Sequence, residues 1–132
     1  RFVMRYILDT HALLWHLSNE ARLGANAKRI LDDSRALLIV PVLVLAEAKH
    51  AADRKRLPIA FERVLQAVLA SPRITVFPMD LYTVHYLSSQ LDIHDSIIVA
   101  TALYCREFFD DEVAILTNDI AITESGLAPT IW

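Results

Sequence analysis

The chain has 132 residues, 55% of them hydrophobic, the usual size for one compact domain that buries roughly two-thirds of the surface its unfolded form exposes. Its formal net charge of −3 argues against gripping nucleic acid by overall basicity, which needs Lys and Arg clustered on the contact face. A metal-dependent nuclease stays open, because ions held by carboxylates can themselves supply the positive field that receives a phosphate.

The single Cys105 cannot pair within the chain and shares helical spacings with Ile98, Thr101, Ala102 and Phe108, so it reads as a buried, inert thiol in a reducing setting. The apolar run from Leu37 to Ala46 is too short for a membrane span and is interrupted by Pro41. Arg1 to Asp9 lacks the apolar core and cleavage site of a signal peptide. The expectation is one domain over residues 1–132, cytoplasmic, with no membrane partner.

Met4 to Leu8 predicts a short buried strand that stops at Asp9, after which Thr10 can cap a helix through about Leu17. A second helix covers Ala25 to Asp33. Ala36 to Val40 is the next strand, and Pro41 suits the first position of a helix that runs towards Arg54 with Glu47 in its middle. Leu57-Pro58 breaks the chain, Ile59 to Ala70 is helical, and Ser71-Pro72 ends that helix. Arg73 to Phe77 alternates as a third strand before Pro78, and Leu81 to Gln90 is helical again. Asp95 opens a helix from Ser96 to about Phe109, Val113 to Thr117 forms a fourth strand, and a short helix leads to an edge strand at Thr130 to Trp132.

Strands alternating with helices predict an α/β fold, with a mostly parallel central sheet of four to five strands and helices on both faces. Such sheets bind ligands outside the carboxyl ends of their strands, where Asp9 and Asp119 both lie. With only two glycines, Gly24 and Gly126, the chain has no Gly-rich phosphate loop.

Four acids stand where apolar segments meet helix starts or lie within apolar helices: Asp9, Glu47, Asp95 and Asp119. Isolated carboxylates in such places are costly to desolvate unless a cation or donor satisfies them, so four in one small domain point to convergence on a hard, oxygen-preferring ion. Taken singly, each has a plainer role as a loop stabiliser, a helix-start acid or a solvent-facing side chain. Glu47 follows Val44-Leu45-Ala46 and Asp95 enters Ser96-Ile97-Ile98-Val99-Ala100, a helix apolar all round and therefore buried.

Tyr6-Ile7-Leu8-Asp9-Thr10-His11, Glu47 in its helix, Asp95-Ser96-Ile97-Ile98-Val99-Ala100-Thr101-Ala102 and Leu116-Thr117-Asn118-Asp119 together resemble the PIN-domain ribonucleases, and at this length the VapC-type toxins of toxin–antitoxin pairs. The resemblance implies a PIN-like nuclease domain in which Asp9, Glu47, Asp95 and Asp119 coordinate one or two Mg²⁺ or Mn²⁺ ions. Two such ions would lie roughly 3.5–4 Å apart. It also implies cleavage of RNA phosphodiester bonds to 5′-phosphate and 3′-hydroxyl ends, a cognate antitoxin partner and a homodimer. Thr117 would orient ligands from behind them, and Thr10 and Ser96 either do the same or cap helices.

The segment after Glu47 departs from any closely matched pattern. Its Lys49, Arg54, Lys55 and Arg56 either track RNA phosphates or form a solvated helix end whose cations favour the negative dipole terminus. His50, His94, Asp95 and Asp119 also follow the order of the HD-type phosphohydrolase ligands, but that family is all-helical. The strand-end Asp9 resembles an aspartyl-phosphate nucleophile, yet His11 stands where a second Asp is needed. A different class remains beside the enzyme: a non-catalytic PIN-like module that binds RNA or protein. The apolar surplus of Leu14, Trp15 and Leu17, and of Tyr82, Tyr86 and Leu87, is mostly core, and any remainder would be a dimer face or partner groove.

Overall fold

A computed structural model describes residues 3–54, 56–57 and 59–132. The elements run β1 (Met4–Leu8), α1 (Thr10–Leu17), α2 (Ala25–Asp32), β2 (Leu37–Pro41), α3 (Val42–Asp53) and α4 (Phe61–Ala70), followed by β3 (Ile74–Phe77), α5 (Leu81–His85), α6 (Ile93–Phe108), β4 (Glu112–Leu116), α7 (Ile120–Ser125) and β5 (Thr130–Ile131). No helix among the described residues is long and apolar enough to cross a membrane.

All five strands are parallel, in the order β3-β2-β1-β4-β5. From β1 the chain therefore steps outward one way through β2 and β3, then crosses to β4 and steps the other way to β5. Right-handed crossovers in opposite directions put the helices on opposite faces, and the carboxyl ends of β1 and β4 meet where the winding reverses. The register there is Ile7 with Ile115 and Leu8 with Leu116, and the Asp9 N–H donates to the Leu116 carbonyl at 3.3 Å.

Burial explains the strand sequences. Ile7, Leu8, Leu38, Val40, Ile115 and Leu116 are buried, so β2 and the carboxyl ends of β1 and β4 read as unbroken apolar runs, whereas the edge strand β3 alternates, with Thr75 exposed. Val44 and Ala48 of α3, Ala12 and Leu13 of α1, and Ile98, Ala102 and Cys105 of α6 complete the core. Burial pushes the Cys105 thiol up to about 12, which keeps it protonated and inert.

Local departures from the sequence expectation have local causes. Asp9, and not Thr10, caps α1: its Oδ1 accepts the Ala12 N–H at 2.8 Å. Asp92, and not Asp95, caps α6, so the helix begins at Ile93 and Asp95 falls in its first turn. Two acids three residues apart offer equivalent caps, and packing selects between them. Helix α5 ends at His85, well short of Gln90, because the Ser88 N–H is taken by the Ser96 hydroxyl at 2.8 Å and the chain turns into α6. Pro41 closes β2 opposite Phe77 and serves as N-cap of α3, one position earlier than expected; its missing N–H costs nothing at either place.

Candidate active site

Asp9, Thr10, His11, Glu47, Asp95, Ile98, Asn118, Asp119 and Ile122 line one cleft of about 240 Å³ at the carboxyl ends of β1 and β4. Four segments far apart in sequence thus bring their acids to one place. No Lys or Arg lines this cleft among the described residues.

Each acid is held differently. Asp9 is 7% exposed and leaves β1 as the N-cap of α1, spending Oδ1 on Ala12. Asp119 repeats the arrangement after β4, its Oδ1 accepting the Ile122 N–H at 3.0 Å as N-cap of α7. Both commit Oδ1 to a backbone N–H of the helix they cap. Glu47, half-buried on α3, accepts a hydrogen bond from the Thr10 hydroxyl at 3.0 Å through Oε1, and its Oε2 lies 3.6 Å from His94 Nδ1. Asp95 sits half-buried in the first turn of α6, its own N–H donated to Asp92 at 2.9 Å.

Thr117 ties two acids together. Its buried hydroxyl accepts the Asp119 N–H at 3.0 Å and hydrogen-bonds to the Asp9 carboxylate, which lowers that group's pKa. The larger influence on Asp9 is burial, which raises its pKa above the ordinary carboxylate value, and nearby Asp119 adds to the rise. Burial likewise raises Asp95, to about 6, and Asp119, Asp92 and Glu47 push it the same way. Mutual repulsion of this kind is what a bound cation relieves.

The donor set is all oxygen, which suits a hard divalent ion better than zinc or copper. Among the described residues, no three His, Cys, Asp or Glu side chains stand close enough together to hold a metal ion as they are placed. The fit to an ion therefore rests on the chemistry of the donors and their shared cleft.

Other candidates fall elsewhere. Ser96 is buried and turned to the α5–α6 connection, where it holds Ser88. Lys49 pairs with Asp53 at 2.8 Å across one helical turn, and Arg54 is an exposed residue at the end of α3. Lys55 lies outside the described residues. Arg56 lines a neighbouring cleft that shares Glu47. Sequence reasoning had no place at this site for Asn118 or for His94 beside Glu47, and it overlooked Asp92 beside Asp95. The Asp92-x-x-Asp95 spacing was the available signal for the last of these. The parallel sheet also removes the all-helical phosphohydrolase reading.

By sequence, no curated protein matches this chain. Among solved structures, the VapBC2 complex of Rickettsia felis, bound to a DNA fragment from its promoter, contains a chain that is similar in fold with a TM-score of 0.68. The match covers 97% of this chain and 98% of that one at 13% identity, so it bears on the fold alone. The sequence model of the PIN domain matches residues 6–124. That match runs from the first strand through the acid-bearing segments into the last helix, and the chain belongs to the PIN domain family.

Proposed function

We propose that residues 1–132 form a single PIN-like nuclease domain, a divalent-metal-dependent endoribonuclease acting as the toxin of a VapBC-type pair. The observation that carries this reading is the cleft itself: four carboxylates from four segments, at the point where the sheet reverses its winding, with no Lys or Arg in the lining among the described residues. Family membership supports it, since PIN domains are generally nucleases.

Asp9, Glu47, Asp95 and Asp119 would hold one or two Mg²⁺ or Mn²⁺ ions, which supply Lewis-acid stabilisation of a phosphodiester and of the departing 3′ oxygen. The protein's own part is to place the donors. The α1 and α7 N-caps fix the rotamers of Asp9 and Asp119, Thr117 sets their spacing, and Thr10 orients Glu47. Asp95, with its pKa raised to about 6, would give up any remaining proton on binding the ion.

A cognate antitoxin, a homodimer and a cytoplasmic setting belong to the same reading. Support for a protein partner comes from the exposed Leu81, Tyr82, Phe108 and Phe109, of which Tyr82 and Phe108 have ring centroids 5.7 Å apart. Sedimentation of the purified chain, alone and co-expressed with its neighbouring gene product, tests these partners. The activity is tested by incubating purified protein with varied RNAs and Mn²⁺, with and without chelator, beside Asp9→Asn. Chelator-sensitive cleavage lost in the variant is expected; RNA left intact by the wild type would instead favour a non-catalytic binding module.

A further inference from the structure

A larger depression opens beyond the Glu47 side of the acid cleft. It shares Thr10, His11 and Glu47 with that cleft, encloses about 670 Å³, and is otherwise lined by Leu14, Trp15, Glu20, Arg22, Ala51, Arg56 and Leu57. The shared walls make one trough that runs from the carboxylates across α1 and the end of α3.

The chemistry changes along that trough. At its acid end no guanidinium is present among the described residues, whereas its outer part contains Arg22 and Arg56, both exposed. Trp15 is half-buried and stacks on the exposed ring of His11, centroids 4.8 Å apart. The Arg22 guanidinium lies 4.5 Å above the Trp15 ring, and its Nη2 is 3.4 Å from Glu20 Oε2. An exposed pair at that distance holds the side chain only weakly and yields to a better anion. A guanidinium resting on an indole keeps its in-plane N–H groups for a phosphate, while flat rings offer a face to any unstacked base.

Phosphates at regular intervals with exposed bases between them are the chemistry of a single strand; a duplex hides its base faces. We propose that the RNA strand flanking the scissile phosphate lies in this trough, with Arg22 and Arg56 positioning its backbone and the His11–Trp15 stack receiving one base. The assignment rests on the nuclease reading above. It makes Arg22 and Arg56 positioning residues that act on strand affinity and leave the chemical step to the acids.

The test uses Arg22→Ala, Arg56→Ala, the double variant and Arg22→Lys, with fluorescein-labelled single-stranded RNA of about a dozen nucleotides as probe. Kd is measured by anisotropy with Mg²⁺ in the Asp119→Asn background, and KM and kcat are measured in the otherwise wild-type chain. Each Ala variant should weaken Kd roughly tenfold and flatten the slope of log Kd against log salt by about 0.7, the value for one lost phosphate contact on a single strand. KM should rise with kcat nearly unchanged, and Arg22→Lys should recover the salt slope, which a merely structural role would not do. If Arg22→Ala fails to fold, Arg56→Ala and Arg22→Lys carry the same readouts. Unchanged Kd and salt slope in variants of a protein that cleaves the RNA would overturn the trough and leave the nuclease standing. So would loss of a co-encoded protein's binding with RNA affinity intact. A wild type that cleaves no RNA overturns both.

Discussion

Asp9 and Asp111 are almost equally buried, 7% and 6% exposed, yet they sit at opposite ends of the same two strands and in opposite electrostatic circumstances. At the amino end, Asp111 just before β4 is met by Arg5 of β1, whose Nε donates to Oδ2 at 2.5 Å. At the carboxyl end, Asp9 has the Ala12 N–H and the Thr117 hydroxyl, and its charged neighbours include a further carboxylate. One buried acid is ion-paired within the chain; the other has backbone and hydroxyl donors, with His11 and Asp119 as its charged neighbours. Burial alone therefore does not separate the two acids, and the identity of their neighbours does.

The widest difference between the two ends should appear in catalysis. Replacing Asp119 by Asn keeps an oxygen to cap α7 while removing the charge, so RNA cleavage should fall by about a hundredfold or more with little loss of stability. Cleavage assays run beside thermal melts check both halves. Arg5→Ala should do the reverse: it strands Asp111 without its cation, costing about 2–3 kcal/mol and lowering Tm by roughly 10 °C, while kcat per folded molecule holds. An Arg5 variant that melted like the wild type would show that the amino-end pair contributes nothing.

The next effect is proton-linked. Because Asp95 is raised from 3.8 to about 6, the folded chain binds this proton more tightly than the unfolded one. Its contribution to ion-free stability is complete below pH 3.8 and is lost as pH rises through about 6. In chelator-treated protein, Asp95→Asn should flatten that decline and melt higher than wild type at neutral pH, whereas Mn²⁺ should stabilise the wild type most above pH 6. A melt series across pH with and without Mn²⁺ reads both. The smallest effect expected is at Thr117: Val there should weaken metal-dependent activity by roughly tenfold and Ser should restore most of it, since the hydroxyl acts only through Asp9 and Asp119.

Much of the fold was legible because strands and helices announce themselves by composition. Met4–Leu8 and Ile74–Phe77 lie between turn and cap residues, and the stretch of α6 from Ser96 to Ala102 lacks charge because every residue in it is buried. What was less legible is competition between equivalent local choices. Asp9 and Thr10 can each cap α1, as Asp92 and Asp95 can α6, and nothing within the helix decides between them. The length of α5 was misread for a similar reason: residues 86 to 90 have helical propensity, but the buried Ser96 hydroxyl, eight residues on, claims the Ser88 N–H.

At the candidate site, the four acids stand out in the sequence as residues out of keeping with their apolar surroundings, while Thr117 enters only through the resemblance to PIN domains. The acids' supporting contacts do not stand out. Lys49 and Arg56 look alike in a charge run, yet Lys49 is occupied by Asp53 one turn away and Arg56 lies beside Glu47 on the trough.

By itself the sequence determined which side chains must leave water and which cannot do so without a partner, because hydrophobicity and charge are properties of each residue. It thereby settled the parallel α/β arrangement and the placement of Asp9 and Asp119 beyond strand ends. Tertiary structure alone decided which acid meets a cation and which meets another acid. Coulomb forces act over a few ångströms, and only the winding of β1 beside β4 places Asp111 near Arg5 and Asp9 near Asp119.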